Sequence, residues 1–215
     1  MDIFLETERM VLRPFTPDDL DRLVELDGDP EVMRYINGGR PTPRDTIRTR
    51  HLPRLLHRHP GLGTFGYWAA EAKGTGAKGA EAEDAGARST GAEDTGAFLG
   101  WFEFRPLEDD SPAVVELGYR LRAATWGRGY ATEGARALIR KGFTELGVQR
   151  VTANTMTVNA ASRRVMEKSG LTFVRTYFGD WPEAIDGSEH GEVEYELTRE
   201  AWERRRAASG GVSPA

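Results

Sequence analysis

Residues 125–134 read TWGRGYATEG, with Gly127 and Gly129 on either side of Arg128 and with Tyr130, Ala131 and Thr132 following. A strand, a glycine-rich turn and a helix in succession bring backbone N–H groups together at a helix N-terminus. Glycines permit positive φ there and the close approach of an anion. The chemistry that such a stretch could do is to hold a phosphate, with Arg128 adding charge beside it. Two nucleotide motifs do not fit. A P-loop ends in Gly-Lys-Ser/Thr, and no lysine stands here; a dinucleotide fingerprint needs a third glycine where the chain has Thr132. Taken alone, the stretch reads better as a plain turn than as a cradle.

Three further side chains are candidates for chemistry, and each has a structural reading beside the functional one. Glu116 lies in AVVELGYRL (113–121), a strand whose alternation puts Val115, Leu117, Tyr119 and Leu121 on one face and Glu116 and Gly118 on the other. By residue type it could take up a proton, or else be a salt-bridged surface glutamate. Asn159 and Ser162, in TVNAASRRVMEKSG, stand at the start of a helix, where both residue types serve as caps. His51, His57 and His59 lack metal-ligand spacing, His190 sits in a surface loop, and Trp181 and Trp202 read as core or rim residues.

The surrounding pattern supplies the elements that must position these residues. Strands are predicted at 9–15, 64–71, 98–106, 113–121, 150–156, 171–177 and 192–197, with PLEDDSP a turn before the fourth. Helices are predicted from Thr16-Pro17-Asp18-Asp19 through Leu20, Leu23 and Val24, from Pro43 to about His59, from Ala131 to Leu146, and from Asn159 to Ser169. This is an α/β chain: a single mixed, mostly antiparallel sheet with helices on both faces. From Ala72 to Ala97 no side chain is both apolar and larger than alanine. Such a segment cannot bury enough surface to offset its ordering entropy, so it is expected as a flexible insertion in the hairpin between the strands that flank it. Residues 1–203 are expected to form one domain, with 204–215 a disordered tail.

Composition narrows the function classes. The chain has 215 residues, no cysteine and a formal net charge of −5. That excludes disulfides, thiolate metal sites and a cysteine nucleophile, and argues against non-specific nucleic-acid binding. MDIFLETERM has neither a basic n-region nor a long apolar stretch, and no apolar run is long enough to span a bilayer. A cytoplasmic protein with no membrane, metal or nucleic-acid partner is the expectation, and a homodimer is the default oligomer.

Taken together, TERMVLRPFTPDDL, DPEVMRYI, ELGYRL, TWGRGYATEG, NAASRRVMEKSGLTF and EYELTREAW resemble the GCN5-related N-acetyltransferases, in particular their RimJ/RimL-type branch. The insertion at 72–97 falls outside the resemblance. The resemblance implies that Gly127, Arg128, Gly129, Tyr130, Ala131 and Thr132 bind the pyrophosphate of acetyl-CoA as co-substrate. It also implies that the backbone of Leu121 and Arg122 pairs with the pantetheine arm, and that Asn159 contacts that arm from the other side. A backbone N–H around Leu117–Tyr119 would hold the oxyanion, Glu116 would serve as base, and Ser162 would protonate the leaving thiolate. Trp126 replaces the Gln or Arg that often opens the family's loop, and Ala123, Ala124 and Thr125 replace its usual proline, acid and aromatic. The implied activity is direct acetyl transfer to an amine, on a protein N-terminus or a small molecule. The alternative is an acyl-CoA-binding regulatory protein without turnover.

Overall fold

A computed structural model describes residues 2–58, 61–74, 96–108, 111–179 and 185–210, with backbone alone at 209 and 210. In chain order the strands are β1 (Leu5–Glu6), β2 (Met10–Pro14), β3 (Gly66–Ala72), β4 (Phe98–Glu108), β5 (Ser111–Leu121), β6 (Arg150–Met156), β7 (Thr172–Tyr177) and β8 (Glu192–Thr198). They form one sheet in the order β1-β2-β3-β4-β5-β6-β8-β7. Every pairing among the described residues is antiparallel except β5 with β6. The crossover between those two strands is the helix α5 (Tyr130–Glu145). No helix among the described residues is long and apolar enough to cross a membrane.

Alternation along the strands builds a core on each face. One face buries Met10, Leu12, Phe102, Phe104, Val115 and Leu117 against Tyr130, Leu138, Ile139 and Phe143 of α5 and Met166 of α6 (Ala160–Lys168). The other packs Tyr67, Ala69 and Phe98 under Leu23 and Leu26 of α1 (Leu20–Leu26) and Val32 of α2 (Pro30–Asn37), together with Ile47, Leu52 and Leu55. Fully burying one such side chain contributes about 1.5–3 kcal/mol, so the two layers fix the sheet between its helices.

Several elements differ from the expectation. The helix predicted from Pro43 to His59 is a succession: α3 (Arg44–Thr46), a π turn over Ile47–His51, and α4 (Leu52–Leu56). His59 lies outside the described residues, as does Trp181. Helix α2 had a legible start and stop: Asp29 accepts from the Glu31 N–H at 2.9 Å, and Gly38 closes the helix at φ 76°. Strand β4 continues through Pro106 to Glu108, so the turn before β5 is narrower than PLEDDSP, and Asp109 and Asp110 lie outside the described residues. The chain ends in a helix, α7 (Arg199–Gly210), which carries regular structure past the domain limit expected at 203 and into the tail expected to be disordered. Residues 211–215 and the bulk of the 72–97 insertion, 75–95, lie outside the described residues. The insertion's two ends meet: Ala72 N–H donates to Ala97 O and Gly96 N–H to Ala72 O, both at 2.9 Å.

Candidate active site

The site begins where two strands part. Strands β5 and β6 pair from Val114↔Arg150 to Glu116↔Thr152 and no further, while β5 keeps its β4 partner as far as Gly100↔Leu121. The Arg122 N–H donates to Leu99 O at 2.9 Å, so Arg122 turns its backbone toward β4. By the alternation of an antiparallel ladder, Tyr119 therefore turns its N–H and C=O the other way, into the gap. The Leu121 N–H faces the gap too, but its carbonyl is occupied by the Trp126 Nε1–H at 2.9 Å. Of the two residues expected to offer backbone to a pantetheine arm, Leu121 is thus half available and Arg122 faces away. Tyr119 occupies the position expected for an oxyanion donor.

The glycine loop closes one end of this gap. Gly127 and Gly129 take φ 75° and 87°, and the first intrahelical bond of α5 runs from the Glu133 N–H to Gly129 O at 3.0 Å. Among the described residues the N–H groups of Gly127, Gly129, Ala131 and Thr132 make no backbone hydrogen bond. They lie at the positive end of a 16-residue helix dipole. Arg9 holds the loop from behind, donating to Arg128 O at 2.9 Å and to Glu133 Oε2 at 2.7 Å, with its guanidinium 4.6 Å over the Tyr130 ring. Burial pushes the Glu133 carboxyl up, but hydrogen bonds from Thr7 and Arg9 outweigh it and hold Glu133 below its usual range. Tyr130 is itself fully buried in the core, with its backbone in the loop.

The opposite wall is the start of α6. Asn159 caps it, its Oδ1 accepting from the Ser162 N–H at 3.2 Å while its Nδ2 donates to Thr155 Oγ1 at 3.1 Å. Ser162 Oγ lies 3.0 Å from the Tyr119 hydroxyl, which also donates to Ser162 O at 3.1 Å. A tyrosine–serine pair thus ties β5 to the start of α6. Burial pushes the Tyr119 phenol up to about 12, which keeps it a neutral donor.

On the other face of β4 and β5 lies a polar row. Register places Arg105 opposite Glu116, Glu103 opposite Gly118, and Trp101 opposite Arg120. Glu116 accepts from Arg105 and, at 3.1 Å, from Asn154 Nδ2. Arg105 also pairs with Glu103, which accepts from the Tyr67 hydroxyl at 3.0 Å, and Tyr67 accepts from Arg54 Nε at 2.7 Å. Burial, together with the Glu103 charge, pushes Tyr67 up to about 12. Further along the face, buried Asp27 takes Arg120 Nη1 at 2.6 Å and stands 3.1 Å from His51 Nδ1. Although burial pushes the Asp27 carboxyl up, His51 and Arg120 hold it below its usual range.

So Glu116 lies on its predicted face, and Asn159 and Ser162 stand together across from Tyr119. Glu103, Tyr67, Arg54, Asp27 and His51 were not singled out from the sequence. The available signal was a carboxylate within the aromatic run FLGWFEF, since unpaired acids are seldom fully buried. Arg163 bonds Tyr195 at 3.2 Å and Thr157 O at 3.1 Å, and His190 is largely exposed beside Glu189. No cluster of metal-ligating side chains occurs among the described residues.

The sheet thus splits beside a glycine-rich helix N-terminus that can hold an anion, with a polar row on its opposite face. Residues 9–172 match the acetyltransferase (GNAT) domain. The chain is 35% identical over 213 residues, 95% of its own length and 80% of the relative's, to the FsC-acetyl coenzyme A-N(2)-transacetylase of Aspergillus fumigatus. It belongs to the GNAT acetyltransferase family. Its fold is shared with RimL, a ribosomal L7/L12 alpha-N-protein acetyltransferase solved with coenzyme A (TM-score 0.67, 16% identity, 93% of this chain and 99% of that one). The aminoglycoside acetyltransferase AAC(6')-Ib, solved with coenzyme A, shares it too (TM-score 0.63, 19% identity, 92% and 99%).

Proposed function

We propose that this acetyltransferase binds acetyl-CoA in the gap between β5 and β6 and passes the acetyl group directly to a primary amine presented from the polar face. The observation that carries the reading is the parting of the two strands after Glu116 and Thr152. It frees the backbone of Tyr119 beside an anion-binding helix N-terminus. The amides of Gly127–Thr132 take the pyrophosphate, with Arg128 alongside. The Tyr119 N–H and C=O and the Leu121 N–H take the pantetheine and the thioester oxygen, and Asn159 meets the arm from α6.

Direct transfer needs three services from the protein. The oxyanion needs a fixed donor, assigned to the Tyr119 N–H. The amine must lose a proton as its bond to carbon forms, and this falls to the carboxylates bridged by Arg105, of which Glu116 is the one the strand pattern singles out. The thiolate takes a proton from the Ser162 hydroxyl, which the neutral Tyr119 phenol can replenish. A thiol pKa near 8.5 makes this last service the least demanding.

The acceptor is a small-molecule amine or a protein N-terminus. The Aspergillus relative's name, which specifies transfer from acetyl-CoA to an N(2) position, supports the small molecule, and its match covers 95% of this chain. A reducing cytosol, which supplies acetyl-CoA, suits a chain without cysteine.

Coenzyme A titration and thiol release test the reading. Coenzyme A binds the wild-type protein, and Gly129→Asp weakens it by about a hundredfold, because a carboxylate at the pyrophosphate site costs a few kcal/mol. Equal binding by both proteins refutes the cradle. Binding without amine-stimulated thiol release leaves the regulatory alternative in place of the enzyme.

A further inference from the structure

We propose that Glu103, rather than Glu116, is the group that receives the proton of the acceptor amine. The assignment rests on the acetyl-transfer reading above. The two carboxylates differ in how they are engaged. Glu116 uses both oxygens, Oε2 with Arg105 and Oε1 with Asn154. Glu103 gathers its donors on one oxygen: Oε1 accepts from the Tyr67 hydroxyl and from Arg105, with Arg54 Nη2 3.8 Å away. Its Oε2 makes no hydrogen bond among the described residues and is not one of the buried atoms left unpaired, so it stays open to solvent on an otherwise buried side chain. A carboxylate held in place by one oxygen, with the other open, is placed to take a proton from a ligand.

The free oxygen also lies in the right place. Glu103 stands opposite Gly118 in the β4–β5 ladder, and a Cβ added at 118 would sit 2.9 Å from Oε2 and 3.3 Å from Glu103 Cβ. The glycine thus leaves room for the carboxylate to lean over the strand. Gly118 adjoins Tyr119, whose N–H faces the gap, just past the last residue paired with β6. Glu103 Oε2 therefore overlooks the stretch of backbone assigned to the reacting thioester, from the side on which an acceptor enters. Tyr67, Arg105 and Arg54 fix the other oxygen and so orient the free one.

In the step that follows, the amine nitrogen forms the C–N bond and its proton passes to Glu103 Oε2. The C–S bond breaks with its electron pair on sulfur, and the thiolate takes a proton from Ser162, which water restores through Tyr119. Glu103 then returns its proton to solvent.

The test compares Glu103→Gln with Glu116→Gln in the full chain, with acetyl-CoA as donor and lysine, kanamycin and a Ser-Ala dipeptide as acceptors. Glu103→Gln, which keeps the shape and can still serve Tyr67 and Arg105, should lose about a hundredfold or more in kcat. Its coenzyme A Kd by calorimetry should stay within about threefold of wild type. Glu116→Gln should lose about tenfold or less. Three results would overturn the assignment: a Glu103→Gln that keeps kcat within about threefold, a Glu116→Gln that loses more than Glu103→Gln, or a Glu103→Gln that loses coenzyme A affinity along with rate. Should Glu103→Gln fail to fold, Glu103→Asp carries the test, because it keeps the charge but withdraws the oxygen by one methylene; the same kcat loss at unchanged affinity is expected. If the wild-type protein releases no thiol with any of the three amines, the acetyl-transfer reading falls, and this assignment with it.

Discussion

Tyr119 joins both halves of the site through different atoms. Its backbone faces the parted strands, and its hydroxyl reaches across to Ser162 at 3.0 Å. Its phenol, raised by burial to about 12, stays protonated across the range in which the enzyme works, so it can pass on a proton but does not ionise. Tyr119→Phe keeps the backbone and removes the hydroxyl. Steady-state thiol release should show kcat falling by about tenfold, the modest loss expected when a thiolate can also leave unaided. Coenzyme A affinity should hold, and an unchanged kcat would remove the tyrosine–serine pair from the chemistry. The sequence pointed to Ser162 and Asn159 through the helix start they form, and to the loop through its glycines. The resemblance pointed to a backbone N–H around Leu117–Tyr119 but not to the Tyr119 hydroxyl, because a hydroxyl's partner 43 positions away has no local signature.

Strand boundaries were the most legible elements, because a two-residue period over buried faces tolerates no slip. Where the expectation and the structure part, local signals were overridden or competed. The second predicted helix runs without a break in αR backbone from Arg44 to Leu56 but widens to a π turn over Ile47–His51, just before Pro53, which has no N–H to donate. Helix α2 carried both a cap and a stop, yet is only eight residues long. The hairpin between β3 and β4 is set by its own register, Trp68 opposite Phe102 and Ala70 opposite Gly100, and is closed by the Ala72–Ala97 and Gly96–Ala72 bonds. Replacing residues 75–95 by a two-residue Asn-Gly turn should therefore leave the fold intact. Loop-closure entropy grows only slowly with length, so a shortened chain should be stabilised by about 1–2 kcal/mol in urea melts, with kcat unchanged. A collapse of activity would assign that segment a part in catalysis.

Across the whole molecule, stability and function meet in buried charge. Arg13 of β2 is buried, bidentate to Asp19 at 2.8 and 2.7 Å and bonded to Glu71 of β3 at 2.6 and 3.0 Å, with Arg22 joining both acids. Asp19 also accepts from the Thr16 N–H at 2.9 Å, tying the entry of α1 to the sheet that α1 covers. Burial pushes the Asp19 carboxyl up, but Arg13, Thr16 and Arg22 more than reverse this, and its folded pKa lies below the usual value. A depressed carboxylate contributes stability above its unfolded pKa, near 3.9, and loses that contribution as pH falls through the folded pKa. Arg13→Met should strand two buried acids and cost about 3–5 kcal/mol at pH 7. As pH falls below about 4 and through the depressed folded pKa of Asp19, the gap to wild type should narrow, which denaturant melts at several pH values would show. A gap independent of pH would mean that the arginine serves by packing alone.

Taken by itself, the sequence determined seven of the eight strands, the helices α1, α5 and α6, the glycine turn at the head of α5, the cap at α6 and the face on which Glu116 lies. All of these follow from periodicity, turn chemistry and capping, which act over a few residues. Strand β1 and helices α2 and α7 were not read from it. Only the tertiary structure decided that β5 and β6 part after Glu116, that Arg122 turns its backbone to β4 and Tyr119 to the gap, and that Glu103 leans over Gly118 with one oxygen free. Those facts depend on the register between strands and on which helix covers which face. Pairing across the sheet is chosen by the burial of both cores together, so no stretch of a few residues encodes it.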